Sequence, residues 1–468
     1  MRIIHVATEL APIAKVGGLA DVVYGLSKEL LRQGHDVSII LPFYPCLKHL
    51  DIKQFGEITI QEEGHRRFNR IFTSSYEGIR LFLIEEPRYF DRSIIYGEID
   101  DNDRFIYFSL AAMEVLNLQE DPIDVLHVHD WPAALCIPLY CNTYAEEHLI
   151  IKCTVLTIHN IQHQGRCNIE NLHKIGIASF YDFLIDPLNP RLANLLKGAI
   201  TYADVVTTVS PSYLKEIQKE EMGFGLSALV NASLAKFYGI LNGIDSTYWD
   251  PEHDPYLFET YNTHTLSHKK VNRRLLSAEI KLPSQDTPLF VAITRLASQK
   301  GPDSLYRGIQ HVLDQGCQFI LLGIPTQETE DLFYQLPKHP NLYIHLGYDE
   351  RLAHLTYAAA DYILIPSHFE PCGLTQMIAM QYGTIPIARR TGGLADTIKH
   401  QKTGYLFNKE EEFLPMIDQA IQGHPHFSFR EEGMHEDFSW RRSAEKYLHL
   451  YQSILSYTQR GSHTAPKG

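Results

Sequence analysis

Residues 1–25 read MRIIHVATELAPIAKVGGLADVVYG, and their pattern decides the fold. Residues 2–7 form a short, mostly apolar strand. A loop then carries Lys15-Val16-Gly17-Gly18, and residues 19–30 place apolar side chains at helical spacing. Strand, glycine turn and helix start make a βα unit of the nucleotide-binding type. Paired glycines let a backbone approach a ligand, and the unpaired N–H groups of a first helical turn attract an anion. Lys15 adds a mobile positive charge. The stretch is neither a Walker loop nor GxGxxG, so taken alone it also reads as a tight turn of any α/β protein.

Working outward, the chain has 468 residues, too many for one core, so two domains are expected. A net charge of −14 argues against a nucleic-acid surface. No apolar run reaches transmembrane length and no signal-peptide pattern opens the chain. Seven scattered cysteines without CxxC suit a reducing compartment, so a soluble, cytoplasmic protein with no membrane partner is expected.

The first half alternates strands with helices. Residues 37–41 and 80–84 read as strands, with a polar hairpin-like stretch between them. Asp100-Asp101-Asn102-Asp103 invites a DxD metal reading, but it precedes the helical run 104–116 and reads better as an N-terminal cap. Strand 125–128 leads into His129-Asp130-Trp131. His127 and His129 share a strand face, and with Asp130 they suggest a metal site. No third histidine lies at useful local spacing, so a polar ligand wall is the stronger reading. Strand 154–158 ends at His159-Asn160. Ligands of open α/β sheets bind beyond the carboxyl ends of strands, so both histidine-bearing stretches point to one crevice. A purely structural His159 remains the alternative.

Strand 204–209 and a turn through 238–245 bring the chain to a boundary near 242–250. The grammar then restarts, with strands 288–293, 318–322, 341–346, 361–365 and 384–388, implying a second parallel sheet. Arg295 and Lys300, placed in the loop after the first of these, read as a diphosphate clamp or as a solvated loop. Glu370, just before helix 374–381, can bind sugar hydroxyls or cap the helix. Cys372 has no adjacent base to make it a nucleophile. The string GGLAD occurs twice, at 17–21 and 392–396, and suggests two related units, each presenting a glycine turn. The helical stretch 440–451 is apolar enough to dock.

In order and spacing, Lys15-Val16-Gly17-Gly18-Leu19, His129-Asp130-Trp131, His159-Asn160, Asn242-Gly243-Ile244-Asp245, Arg295 through Lys300-Gly301, Glu370-Pro371-Cys372-Gly373-Leu374 and Thr391-Gly392-Gly393-Leu394 resemble bacterial glycogen synthases and plant starch synthases. The resemblance runs from Met1 to about Tyr451. It implies two Rossmann-like domains facing a deep cleft, the GT-B type. The implied domains are 1–241 on the acceptor side, 242–438 on the nucleotide-sugar side, and a helix 439–457 returning to the first, with 458–468 a disordered tail. The implied reaction moves glucose from ADP-glucose to the non-reducing 4-hydroxyl end of an α-1,4-glucan with retention, without metal or other cofactor. Lys15 and Gly18 would lie near the donor phosphates, with Arg295 and Lys300 from the other side and Thr375 on the distal phosphate. His159 would lie by the reacting sugar. Glu370, Cys372, Gly373, Leu374, Asp130 and Asn242 would surround the glucose, Asp21 and Glu9 would line the cleft, and Tyr348 would stack near adenine. Pro132 replaces the family's usual His, and His163 a usual aromatic residue, which bears on acceptor-side or loop contacts.

Three other readings compete. A phosphorylase-like enzyme needs a lysine-bound pyridoxal phosphate, for which no site is evident. Another nucleotide-sugar transferase, with a UDP-glucose donor or a non-glucan acceptor, is a closer rival. A catalytically silent glucan-binding regulator would not need Lys15, His159, Arg295, Lys300 and Glu370 intact.

Overall fold

The computed structural model describes residues 1–145, 148–177, 181–326, 328–334 and 336–461. The chain divides after Ile240 and again before Trp440. One unit holds Met1–Ile240 with the final helix, and the other is Leu241–Ser439.

The first unit is built on a nine-stranded sheet. Its central strand, Arg2–Val6, lies between Asp36–Pro42 and Val125–His129 and runs parallel to both. From there the order goes outward to Ile79–Ile84 on one side, and to Thr154–Ile158, Val205–Thr208 and Phe237–Gly239 on the other. The strand order reverses at Arg2–Val6, and such a switch point opens a crevice at the carboxyl ends. The loop after Arg2–Val6 carries Lys15, and the turn after Val125–His129 carries Asp130. The polar stretch between the second and third parallel strands is an antiparallel hairpin, Lys53–Glu62 with His65–Tyr76, that extends the sheet edge.

The second unit has six parallel strands, in the order Leu342–Leu346, Gln318–Pro325, Leu289–Leu296, Tyr362–Ile365, Ile385–Arg389 and Tyr405–Phe407. Its switch point lies at Leu289–Leu296, whose carboxyl end leads to Lys300. Phe290, Ala292, Phe319, Leu321, Tyr362 and Leu364 form its core against Ile309 and Val312 of helix Pro302–Asp314.

Arg295 lies inside strand Leu289–Leu296 and not in the following loop, because that strand pairs with Gln318–Pro325 to its end. Asp100, expected to help cap the next helix, makes no side-chain cap. It is held instead by Arg92 at 2.6 and 2.7 Å. The final helix runs Trp440–Gly461, through the positions expected to begin a tail, and 462–468 lie outside the described residues. It packs on helix Gly18–Arg32, where a Cβ on Gly25 would stand 2.0 Å from the Trp440 indole nitrogen. Only glycine lets the ring lie there. Trp440, Tyr447 and Tyr451 join Ile3, Val125 and Val155 in one buried cluster, each worth roughly 1.5–3 kcal/mol by burial.

Candidate active site

In the first unit the Lys15–Gly18 loop is shaped by one carboxylate. Glu9 Oε2 accepts the N–H groups of Val16 at 2.6 Å and Gly17 at 2.8 Å, and Tyr96 donates to Oε1 at 3.0 Å. Burial raises the Glu9 pKa, and the backbone donors oppose it. Lys15 Nζ bonds Asp21 Oδ1 at 2.8 Å, so this cation is already held by a carboxylate. Gly17 starts helix Gly18–Arg32 with no side-chain cap, and Gly18 is exposed.

Asp130 has φ of 55°, a left-handed conformation that Asp tolerates better than most residues. It turns the carboxylate back onto the neighbouring strand end, where Oδ1 accepts the His159 N–H at 2.8 Å. Burial pushes its pKa up to about 8. His159 is 9% exposed, and burial takes its pKa down to about 3. Pro132 sits in the first turn of helix Asp130–Ala134, where no intrahelical N–H bond is lost. His163 lies exposed in the loop after His159.

The third histidine absent from the local sequence comes from another strand. His5 stands opposite His127 in the parallel register, and His5, His127 and His129 bring ligand atoms within 4.8 Å of one another. Most of those nitrogens are spent on hydrogen bonds: His5 to His129 at 2.9 Å, His127 to Thr157 at 2.5 Å and to Tyr451 at 2.8 Å. The cluster is a polar seam in a buried sheet.

In the second unit Lys300 and Glu370 meet. Lys300 Nζ is 2.5 Å from Glu370 Oε2, and the Ser367 hydroxyl donates to the same oxygen at 3.2 Å. They line one pocket together with Thr294, Ser367, Gly373 and Thr375. Two segments fix this geometry. The His368 N–H donates to Gln299 O at 2.9 Å, tying the lysine turn to the glutamate turn. Gly392, with φ of 43°, lies where a Cβ would stand 1.9 Å from Glu370 O, and the Gly393 N–H donates to that oxygen at 3.0 Å. The second GGLAD string is therefore buried packing behind Glu370, whereas a Cβ at Gly17 in the first would meet nothing within 4 Å.

Burial pushes the Cys372 thiol up to about 12, against the pull of hydrogen bonds from Asn242, which keeps it a protonated thiol near neutral pH. Asn242 Oδ1 is buried without a partner among the described residues. The Gln376 amide donates to Cys372 O at 3.1 Å and Gly373 O at 2.8 Å. Leu374 precedes helix Thr375–Gln381. Arg295 is exposed, and its guanidinium makes no hydrogen bond or ion pair among the described residues. Tyr348 is 69% exposed beyond strand Leu342–Leu346. Tyr96, His5, Ser367 and Gln376 are the participants that sequence reading missed. His5 left one signal, a lone polar residue inside an apolar strand, which must find a buried partner.

Parallel α/β units with polar side chains gathered at strand ends beside a switch point are the Rossmann-like architecture that glycosyltransferases share with other nucleotide-binding enzymes. Residues 2–232 match the starch synthase catalytic domain, and residues 276–428 match the group 1 glycosyl transferases. A glycogen synthase of Protochlamydia amoebophila is 41% identical, with 97% of this chain and 99% of that one covered. A probable chloroplastic/amyloplastic starch synthase 4 of Arabidopsis thaliana is 40% identical over 97% of this chain and 47% of its own length. The solved catalytic domain of starch synthase IV from Arabidopsis thaliana, bound to ADP and acarbose, superposes with a TM-score of 0.92 at 38% identity, covering 97% and 99% of the two chains. The chain belongs to the glycogen/starch synthase family. Among the described residues, no helix is long and apolar enough to cross a membrane.

Proposed function

We propose that this chain elongates α-1,4-glucans in the cytoplasm, transferring glucose from ADP-glucose to the non-reducing 4-hydroxyl with retention and without a metal. Family membership across 97% of the chain carries the reading, and the sequence offers Lys15, His159, Arg295, Lys300 and Glu370 to perform it. The ADP and acarbose held by the starch synthase IV relative support the choice of donor nucleotide and of an oligosaccharide acceptor.

In the second unit, Arg295 and Lys300 neutralise the diphosphate as the bond from C1 to the phosphate oxygen breaks. Stabilising charge that develops only in the transition state raises kcat. Glu370 and the unpartnered Asn242 Oδ1 orient sugar hydroxyls, and Thr375 takes the distal phosphate. In the first unit, Lys15 and Gly18 serve the donor phosphates, and His159 and Asp130 the reacting glucose. The glucan 4-hydroxyl attacks C1 on the face that ADP leaves, through an oxocarbenium-like state, and the departing phosphate takes its proton. A good leaving group removes the need for the acid carboxylate of a retaining glycosidase.

The test is a donor screen on a maltooligosaccharide acceptor. ADP-glucose should extend it, UDP-glucose should do so poorly, and glucose 1-phosphate should not. Activity with glucose 1-phosphate alone, or with no donor at all, overturns the reading.

A further inference from the structure

The proposed reaction uses only the outermost member, His159, of a chain of buried imidazoles in the first unit. His5 lies on strand Arg2–Val6, His129 ends strand Val125–His129, and His159 follows strand Thr154–Ile158. His5 Nδ1 is 2.9 Å from His129 Nε2, and His129 Nδ1 is 3.0 Å from His159 Nε2. Exposure falls from 9% at His159 to zero at His129 and His5. Burial disfavours imidazolium, so each ring is neutral and carries one proton.

Two proton arrangements satisfy both bonds. In one, His159 Nε2–H donates to His129, and His129 Nε2–H donates to His5. In the other, His5 Nδ1–H donates to His129, and His129 Nδ1–H donates to His159. The far end decides between them. His5 Nε2 is buried with no partner among the described residues. The first arrangement would make it an orphaned N–H, the second a bare lone pair. Buried N–H groups without acceptors are the rarer condition. His127 is engaged elsewhere, with Nδ1 on the Tyr451 hydroxyl and Nε2 on the Thr157 hydroxyl. The second arrangement follows. It makes His159 Nε2 an acceptor and leaves its one proton on Nδ1, outside the chain.

We propose that His5 and His129 are positioning residues that lock His159 as the Nδ1–H tautomer, so that its ring serves the transfer as a hydrogen-bond donor to a sugar or phosphate oxygen and not as a base. The functional half rests on the assignment of His159 to the reacting sugar. A neutral donor fixed before the reaction costs no reorganisation as charge develops.

The test uses the full chain labelled with 15N-histidine, read by two-bond 15N–1H correlation at neutral pH. His159 signals are identified by their loss in His159→Gln. The expected pattern is a protonated Nδ1 and a bare Nε2. His129→Leu should populate both His159 tautomers and lower kcat about tenfold or more, short of the roughly 10²-fold or greater loss of deleting a charge-stabilising donor, with KM for ADP-glucose little changed. His129→Asn, whose amide can still donate to His159 Nε2, should recover most of the rate. Should His129→Leu fail to fold, His5→Leu reads the same lock from the other end. A protonated Nε2 or an imidazolium in the parent overturns the proton order. An unchanged His159 tautomer in the leucine variants, or equal rate losses in His129→Asn and His129→Leu, overturns the positioning role. Full activity in His159→Gln would instead remove His159 from the reaction, while the tautomer spectrum still judges the chain by itself.

Discussion

At the scale of single residues, Lys300 and Glu370 are not independent. The sequence suggests separate jobs, phosphate for one and sugar for the other, but the structure joins them at 2.5 Å, with Glu370 6% exposed. Breaking a partly buried pair strands the partner. Lys300→Ala should lower kcat roughly 10²-fold or more and also lower the melting temperature. Arg295→Ala, on an exposed and unpaired side chain, should lose a similar rate with no change in melting. Rates within about threefold of the parent for both would remove the clamp. Mass spectrometry of the enzyme with a fluorinated ADP-glucose analogue should find no glucosyl adduct on Glu370, and an adduct forming and decaying at a competent rate would establish double displacement. The acids of the 101–103 stretch are likewise occupied: Asp101 by Arg104 and the Gly97 N–H, Asp103 by Lys174 and Asn171. EDTA-treated enzyme should therefore keep its rate, and a loss restored only by Mg²⁺ or Mn²⁺ would refute metal independence. Strand-end residues such as His159 and Glu370 were legible because an alternating βα pattern says where strands stop. Tyr96 and His5 were not, because they act through Glu9, 87 residues away, and His129, 124 residues away.

At the scale of elements, the repeated GGLAD string does two different jobs. Periodicity reveals that each copy starts a helix, and it says nothing about what stands in front of the glycines. In the first copy the space before Gly17 is open. In the second, a Cβ on Gly393 would lie 2.1 Å from Cys372 O and 2.5 Å from its Cα, and these are backbone atoms that move only with the whole 370–373 segment. Gly393→Ala should thus cost about 1–3 kcal/mol, as overpacking does, and lower kcat by displacing Glu370. Gly17→Ala should cost under about 1 kcal/mol, the scale of an N-cap change. Denaturant midpoints and steady-state rates of the two variants check this. Equal effects would mean that Gly393 does not brace the glutamate turn. The final helix teaches the same lesson. Its apolar face was readable, but its use of Tyr451 to bond His127, 324 residues away, was not.

At the scale of the molecule, the buried titratable seam makes stability depend on pH with a calculable sign. His5 and His159 are taken to about 3, and His127 and His129 well below their usual value, all mainly by burial. Each folded pKa is depressed below the unfolded value near 6.5, so between those limits the unfolded chain binds protons that the fold refuses. Stability from these histidines is present above about pH 6.5 and lost as pH falls, by about 1.4 kcal/mol per pH unit for each. Asp130 acts oppositely. Its folded pKa of about 8 exceeds the unfolded value, so the fold keeps a proton that the unfolded chain releases. Its contribution is complete below about pH 4 and lost as pH rises toward 8. Within this seam the four histidines outweigh the one aspartate on the acid side, and Asp130 tilts the curve downward above about pH 6.5. Differences between variants isolate these groups from all others. His5→Leu should unfold with about one fewer proton taken up near pH 5.5, read by calorimetry in buffers of different ionisation enthalpy. Asp130→Asn should flatten the fall in denaturant midpoint between about pH 6.5 and 8. Parallel midpoint curves for the parent and Asp130→Asn across that range would show that Asp130 is ionised in the fold, and the raised pKa assigned to its burial would be wrong.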